Sequence, residues 1–247
     1  MKYKLFPLLT KMIEFYEGPL NRERFSTYLG MMLNEDRSDV VMPIGNFNPM
    51  GKEGALEKLH TLQELQVENK IVEEIEKENS GSEGSNHVTD VAINLIDDLG
   101  GAWSQRFITE YKSIFDIDHT FKRNFCIIPF WTSDVLSETM VHNRIQRYFR
   151  RHKYWRVMGK PITLQEHIHQ EVAIEKEPAT LSESIIDNLH LDEMHNLAQA
   201  HLGSEDHNFI INFFFGDEAV KTLGYPTHGI ADRAGFHYVR WLAEKEA

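Results

Sequence analysis

The sequence predicts a mainly α fold, a bundle-like globular domain of many helices with one minor β element around residues 103–132. Apolar residues recur at helical spacing along most of the chain. Residues that favour helix N-caps stand at the starts of four later segments, namely Ser133, Thr163, Ser182 and Ser204. The regular alternation of strands and helices that predicts an α/β sheet is absent.

The helical pattern divides the chain into nine predicted helices. They cover residues 2–16, 21–33, 53–78, 88–99, 133–156, 163–176, 182–201, 205–222 and 229–245. Gly and Pro residues mark several of the ends, as at Gly18-Pro19 and Gly100-Gly101. The pattern is least regular over 103–132, where residues 124–131 have the apolar composition of a short strand or a buried turn.

The polar, Gly/Ser-rich segment 80–86 predicts a linker or a surface loop. It separates an N-terminal helical region, residues 1–79, from a C-terminal helical domain, residues 87–247, which carries the candidate site. A separate N-terminal domain and a loop on one larger domain are both consistent with this composition.

Charge and composition exclude several classes of protein. The chain has 247 residues, 38 Asp or Glu, 26 Lys or Arg, and a net charge of −12. Such an acidic body repels nucleic acids and anionic membranes, so neither is expected as a partner without a local basic patch. The single cysteine, Cys126, lies in an apolar run typical of a packed, inert thiol. No apolar run reaches the ~20 residues of a membrane span. We expect a cytoplasmic protein.

The charges are segregated along the chain. Segment 133–160 contains seven Lys or Arg and two acids, whereas segment 163–207 contains ten acids, one Lys and six His. One hypothesis is therefore a non-catalytic interaction or assembly module, whose basic and acidic surfaces bind a protein partner or a second copy of the chain.

The acidic, His-rich segment also carries candidate metal ligands. His167 and Glu171 share one face of helix 163–176 with Leu164 and Ile174, where an unpaired charge would be costly. Imidazole and carboxylate groups at i,i+3 or i,i+4 spacing are common ligands of divalent metals. These two residues are therefore candidate ligands.

The following helices repeat this pattern. His190 and Glu193 lie on the apolar face of segment 182–201, and His237 lies on the apolar face of segment 229–245 with Trp241. If these faces meet, they would hold zinc, iron or manganese, or a small ligand, with Trp241 and Phe213–Phe215 excluding water. Metal-assisted hydrolysis is the generic chemistry of such a site. The competing interpretation is that each histidine is hydrogen-bonded in the core. The sequence does not decide whether the protein is an enzyme.

A third hypothesis comes from a motif. Ser-Ile-Phe-Asp116-Ile-Asp118-His-Thr120 resembles the first motif of the haloacid dehalogenase superfamily of phosphatases. The resemblance implies that Asp116 is the nucleophile, Asp118 the general acid/base, and magnesium the metal. Segments 131–133, 159–161 and 215–218 resemble the later motifs in order. Sixteen residues separate Asp116 from Thr132, little more than the dozen that a parallel crossover requires, and this spacing disfavours a phosphatase.

Overall fold

Eleven helices and one three-stranded parallel sheet form the part of the chain that the structure describes. The computed structural model describes residues 1–50, 54–80, 87–99, 104–176 and 188–245, without the side chains of residues 188–190. The prediction of a mainly α fold with a minor β element is confirmed. The chain divides into two compact units, Met1–Phe149 and Arg150–Ala247, which are described separately below.

The first unit contains the sheet. Its strands are β1 (Lys2–Leu5), β2 (Val88–Ile96) and β3 (Phe125–Trp131), in the order β1-β2-β3 with β2 in the centre. Lys2 lies opposite Val88, and Asp90 lies opposite Phe125. Parallel strands need crossover connections, and helices supply them here.

Seven helices accompany the sheet. They are α1 (Leu9–Glu17), α2 (Arg24–Met32), α3 (Ala55–Glu64), α4 (Val67–Asn79), α5 (Arg106–Phe115), α6 (Asp118–Phe121) and α7 (Glu138–Met158). The division between the two units falls within α7. Apolar side chains of the strands and of the helices form one core, in which Ile71, Ile93 and Phe130 are fully buried.

The predicted helix over 88–99 is wrong, because this segment forms β2. Residues 91–97 are all buried, so the strand shows no alternation of apolar and polar positions that would distinguish it from a buried helix. The start of the predicted helix 2–16 is also wrong: Lys2 and Lys4 are exposed while Tyr3 is buried, the two-residue period of a strand. The candidate strand over 124–131 is confirmed as β3.

Two other predicted boundaries change. The predicted helix 53–78 is interrupted at Gln66, whose backbone has φ 52°, so that α3 and α4 are separate. Segment 80–86 lies almost entirely outside the described residues. Strand β1, which precedes this segment, pairs with β2, which follows it, so both belong to the same compact unit. Residues 182–187 of a predicted helix lie outside the described part as well.

The second unit contains the end of α7 and four further helices. These are α8 (Leu164–Lys176), α9 (Asn188–His201), α10 (His207–Leu223) and α11 (Ala234–Lys245). The predicted helices 163–176 and 205–222 are confirmed, as is the described part of helix 182–201, whereas the predicted helix 229–245 begins only at Ala234. Helix α11 packs against α8, α9 and α10 and is the centre of the unit. Within the described ranges, each helix is too short or too polar to cross a lipid bilayer.

Two glycines allow α10 and α11 to approach closely. Gly216 interrupts α10 with φ 82°, and a Cβ there would lie 2.8 Å from Cα of Asp232. A Cβ on Gly235 would lie 2.8 Å from Cα of Phe214. Since backbone atoms occupy both places, neither position has room for a side chain. Asp217 then fixes the loop before α11 by accepting hydrogen bonds from the backbone N–H groups of residues 228–230.

We expect the substitution Gly235→Ala to lower the free energy of unfolding by about 2 kcal/mol or more, because the added methyl group would overlap the backbone of α10. Gly203→Ala is the matched control, since no atom lies within 4 Å of a Cβ at that position. The control should change stability by less than about 0.5 kcal/mol. Denaturant unfolding followed by circular dichroism measures both, and equal stabilities would contradict the close approach.

Candidate functional site

His167 and Glu171, two of the predicted ligands, lie one turn apart on α8, and both are buried. Glu171 is paired with Arg151 of α7. The Nε of Arg151 lies 2.9 Å from Oε1 of Glu171, and its Nη2 lies 2.5 Å from Oε2. This is a bidentate ion pair in which the side chain of Glu171 has no solvent exposure.

Two further side chains complete the network around Glu171. The Nε2 of Gln170 donates to Oε1 of Glu171 at 2.9 Å, and Nε1 of Trp155 donates to Oε1 of Gln170 at 2.7 Å. Both carboxylate oxygens therefore accept hydrogen bonds from the chain itself. The negative charge that the sequence places on an apolar face is balanced by a guanidinium group, and the network joins α8 to α7.

The His167 side chain is neutral at physiological pH. Burial lowers its pKa to about 4, because desolvation disfavours the imidazolium form more than the nearby Glu171 favours it. The neutral ring is part of the packing of the α8 core face.

The remaining predicted site residues lie on α9 and α11. Glu193 is exposed on α9, and the side chain of His190 lies outside the described residues. His237 is half-buried on α11, where burial and the charge of Arg240 lower its pKa. The half-buried Trp241 ring has the ammonium of Lys245 at 3.5 Å from its centroid.

Metal binding finds no support in this arrangement. Among the side chains that the structure describes, no group of three or more His, Cys, Asp or Glu residues is placed to hold a metal ion. Cys126 is buried as predicted, and burial raises the pKa of its thiol to about 12.

A cavity of about 390 Å³ lies between α8, α9 and α11. Each helix contributes residues from one face, since successive lining positions on a helix are one, three or four residues apart. The described lining residues are Gln165, Ile168, His169, Val172, Ala173, Lys176, His195, Gln199, Leu202, Tyr238 and Leu242. The apolar members come from α8, from α11 and from Leu202, which directly follows α9, and the polar members are one lysine, two histidines, two glutamines and one tyrosine.

The polar groups of α9 and α11 form a hydrogen-bonded set at this cavity. The Tyr238 hydroxyl lies 3.0 Å from Nδ1 of His195. Burial raises the pKa of Tyr238, and a hydrogen bond with the side chain of Gln199 acts in the opposite direction. The ring of Tyr238 packs edge-to-face against Phe213 at 6.1 Å, so Phe213 of α10 supports this lining residue.

The predicted helices carry this cavity, but on a different face. The predicted ligands His167 and Glu171 belong to the most buried stripe of α8, whereas His169 and Lys176 are exposed residues of the same helix. The sequence feature that could have indicated the cavity is a second row of polar residues on α8. It contains Gln165, His169 and Lys176, which are separated by four and by seven residues. That row resembles an ordinary solvated face.

The first unit has a second cluster of polar side chains, at the carboxyl ends of β2 and β3. Ser133 Oγ donates to Asp98 Oδ2 at 2.6 Å, and the backbone N–H of Ser133 donates to Oδ1 at 3.0 Å. Asn48 Nδ2 donates to Asp97 Oδ2 at 2.6 Å. This edge is where parallel sheets commonly bind ligands, but here the carboxylates bind groups of the chain itself.

Asp134 continues that cluster. Arg106 Nη1 lies 3.0 Å from Asp134 Oδ1, and Arg144 binds the other carboxylate oxygen. Burial would raise the pKa of Asp134, but the hydrogen bond and the charge of Arg144 outweigh it and hold this pKa below its usual value. The Arg106 guanidinium also lies 4.1 Å from the ring centroid of Trp131. The cluster connects strand ends to helices.

The phosphatase-like motif is divided between the two ends of β3. Asp116 is the exposed C-cap of α5, and Asp118 begins α6, so both precede the strand. Thr132 and Ser133 follow its carboxyl end, about 20 Å further along the strand at ~3.3 Å per residue. The motif residues therefore do not share one edge of the sheet.

Comparison of the chain with protein-family models, curated proteins and solved structures found no match.

We expect His167 to make the protein less stable in acid. Because the pKa is about 4 in the folded protein and 6.5 in the unfolded chain, the unfolded chain binds the proton first. The contribution of His167 to the free energy of unfolding is therefore fully present above pH 6.5. It falls by about 3 kcal/mol as the pH is lowered to 4. His167→Gln, which cannot titrate, should lose this part of the pH dependence. Denaturant unfolding between pH 7 and 4 measures it, and identical profiles would contradict the assignment.

Proposed function

We propose that the C-terminal helical unit binds a small organic molecule in the cavity between α8, α9 and α11. The observation that carries the proposal is the cavity itself, which combines an apolar wall with a few polar groups. Its volume of about 390 Å³ falls within the ~300–1,000 Å³ of typical small-molecule sites.

The lining supports both affinity and orientation. Ile168 and Val172 of α8 are buried and offer an apolar surface. His195 and Tyr238 are linked by a hydrogen bond, so their polar atoms are already oriented before a ligand enters. Preorganised polar groups lower the entropic cost of binding.

The residues favour binding over metal-assisted hydrolysis. Catalytic zinc sites use three protein ligands and leave one position for water. The described lining contains only two side chains of the usual metal-binding types, His169 and His195, and Glu171 is engaged with Arg151.

Blocking the cavity tests this proposal. Ala173 lines the cavity but is exposed, so Ala173→Trp should fill the space without disturbing the core. We expect fragments that bind the wild type, detected by saturation-transfer NMR, to lose binding in this variant. Ala200→Trp, on an exposed position of α9 outside the described lining, is the matched control and should bind as the wild type does.

Two results would contradict the proposal. One is the absence of binding by any member of a panel of several hundred small fragments. The other is binding that survives in Ala173→Trp as well as it does in Ala200→Trp.

A second candidate function, self-association, is favoured by the end of α7. Val157, Met158 and Ile162 are 80%, 68% and 56% exposed, and segment 150–162 contains no acidic residue. The exposed Asp192 and Glu193 of α9 offer a complementary charge on a second copy of the chain.

We expect an association that weakens between about 50 mM and 500 mM NaCl, because salt screens the charged part of such an interface. Sedimentation velocity measures the oligomeric state. The double variant Val157→Ser/Met158→Ser should be monomeric, whereas Val135→Ser, at a position 90% exposed in the other unit, should behave as the wild type. A wild type that is monomeric at both salt concentrations would exclude this function.

A further inference from the structure

We infer that the ligand of this cavity is an organic anion, a carboxylate on an elongated apolar body, bound through Lys176 and the imidazole N–H of His195. The inference rests on the proposed binding function and names the chemical class of its ligand.

The first support is the charge of the lining. None of the described lining residues is acidic, although segment 163–207 has ten acids and a single lysine. That lysine, Lys176, lines the cavity. Two acids of α8 have partners outside the cavity lining: Glu171 binds Arg151, and Glu175 lies 3.9 Å from Arg240. The absence of carboxylates from the described part of the lining, within so acidic a segment, favours an anion over a cation.

The second support is the proton on His195. The phenol oxygen of Tyr238 lies within hydrogen-bond distance of Nδ1 of His195, and a phenol O–H is a hydrogen-bond donor. The hydroxyl proton of Tyr238 is then available to Nδ1 of His195, 3.0 Å away. A neutral imidazole that accepts at Nδ1 carries its own proton on Nε2, and an imidazolium carries one there too. The Nε2 atom is thus a donor in either state.

The third support is the shape of the cavity. Its lining extends along α8 from Gln165 to Lys176, eleven residues or about 16 Å at 1.5 Å per residue. The backbone N–H of Gln165 donates to the carbonyl of Leu202, so the start of α8 lies beside the end of α9. Lys176 therefore lies toward the other end, and the apolar side chains between the two ends would bind the body of an elongated ligand.

A matched set of probes separates charge from shape. Octanoate, octanamide and octylamine share one alkyl chain and differ in the head group. By isothermal titration calorimetry, we expect octanoate to bind at least about tenfold more tightly than octanamide, because hydrogen bonds to an ionised group are the stronger ones. Octylamine should bind most weakly. In Lys176→Gln, octanoate should lose about tenfold in affinity, while octanamide should be unchanged.

The tautomer of His195 gives a test that needs no ligand. The ¹⁵N shifts of its imidazole should report a proton on Nε2 in the wild type at a pH where the ring is neutral. Tyr238→Phe removes only the hydroxyl and should abolish this preference and weaken octanoate binding. Tyr225→Phe, in the loop after α10, should do neither. A proton found mainly on Nδ1 in the wild type would overturn the assignment.

The two proposals fail in different ways. Neutral or cationic fragments that bind the wild type, and lose binding in Ala173→Trp, would support a ligand cavity but refute an anionic ligand. Octanoate and octanamide that bind with equal affinity would refute it as well. The absence of any binding sensitive to Ala173→Trp would refute the cavity as a site.

Discussion

The buried ion pair between Arg151 and Glu171 determines how α8 is oriented in the C-terminal unit. A charge left alone in this position would cost about 3–5 kcal/mol, so rotation of α8 about its axis is strongly disfavoured. With Glu171 held against α7, the row that contains Gln165, His169 and Lys176 lies on the side that faces α9 and α11. The cavity thus depends on an interaction in which none of its own residues takes part.

The sequence could predict those elements that have one apolar and one solvated face. Helices α8 and α11 are of this kind. Helix α10 is buried at every position from Phe209 to Gly216, and its N-cap is Asp206, two residues after the predicted Ser204. Strand β2 has no solvated face from Val91 onward, so its sequence lacks the two-residue alternation of apolar and polar positions by which a strand is recognised. Strand β1 has only four residues, and its alternation is recognisable only once β2 is beside it.

The site was harder to predict than the fold, for a physical reason. Periodicity identifies polar residues that are buried, but it does not identify their partners. The partner of Glu171 is Arg151, twenty residues earlier and on another helix, and this pairing changes a candidate ligand into a structural group. The cavity residues have the opposite property: His169 and Lys176 are exposed, and only the arrangement of three helices brings them to one cavity.

The close approach of α10 and the start of α11 has a consequence for how this sequence can diverge. At Gly216 and Gly235 every other amino acid would place a carbon atom against a neighbouring backbone, so a change at either position requires two segments to move apart together. Most surface positions of the unit have no such restriction. Homologous chains that share this fold should therefore retain these two glycines, nineteen positions apart, after most other similarity has been lost, and the pair offers a means of recognising distant relatives.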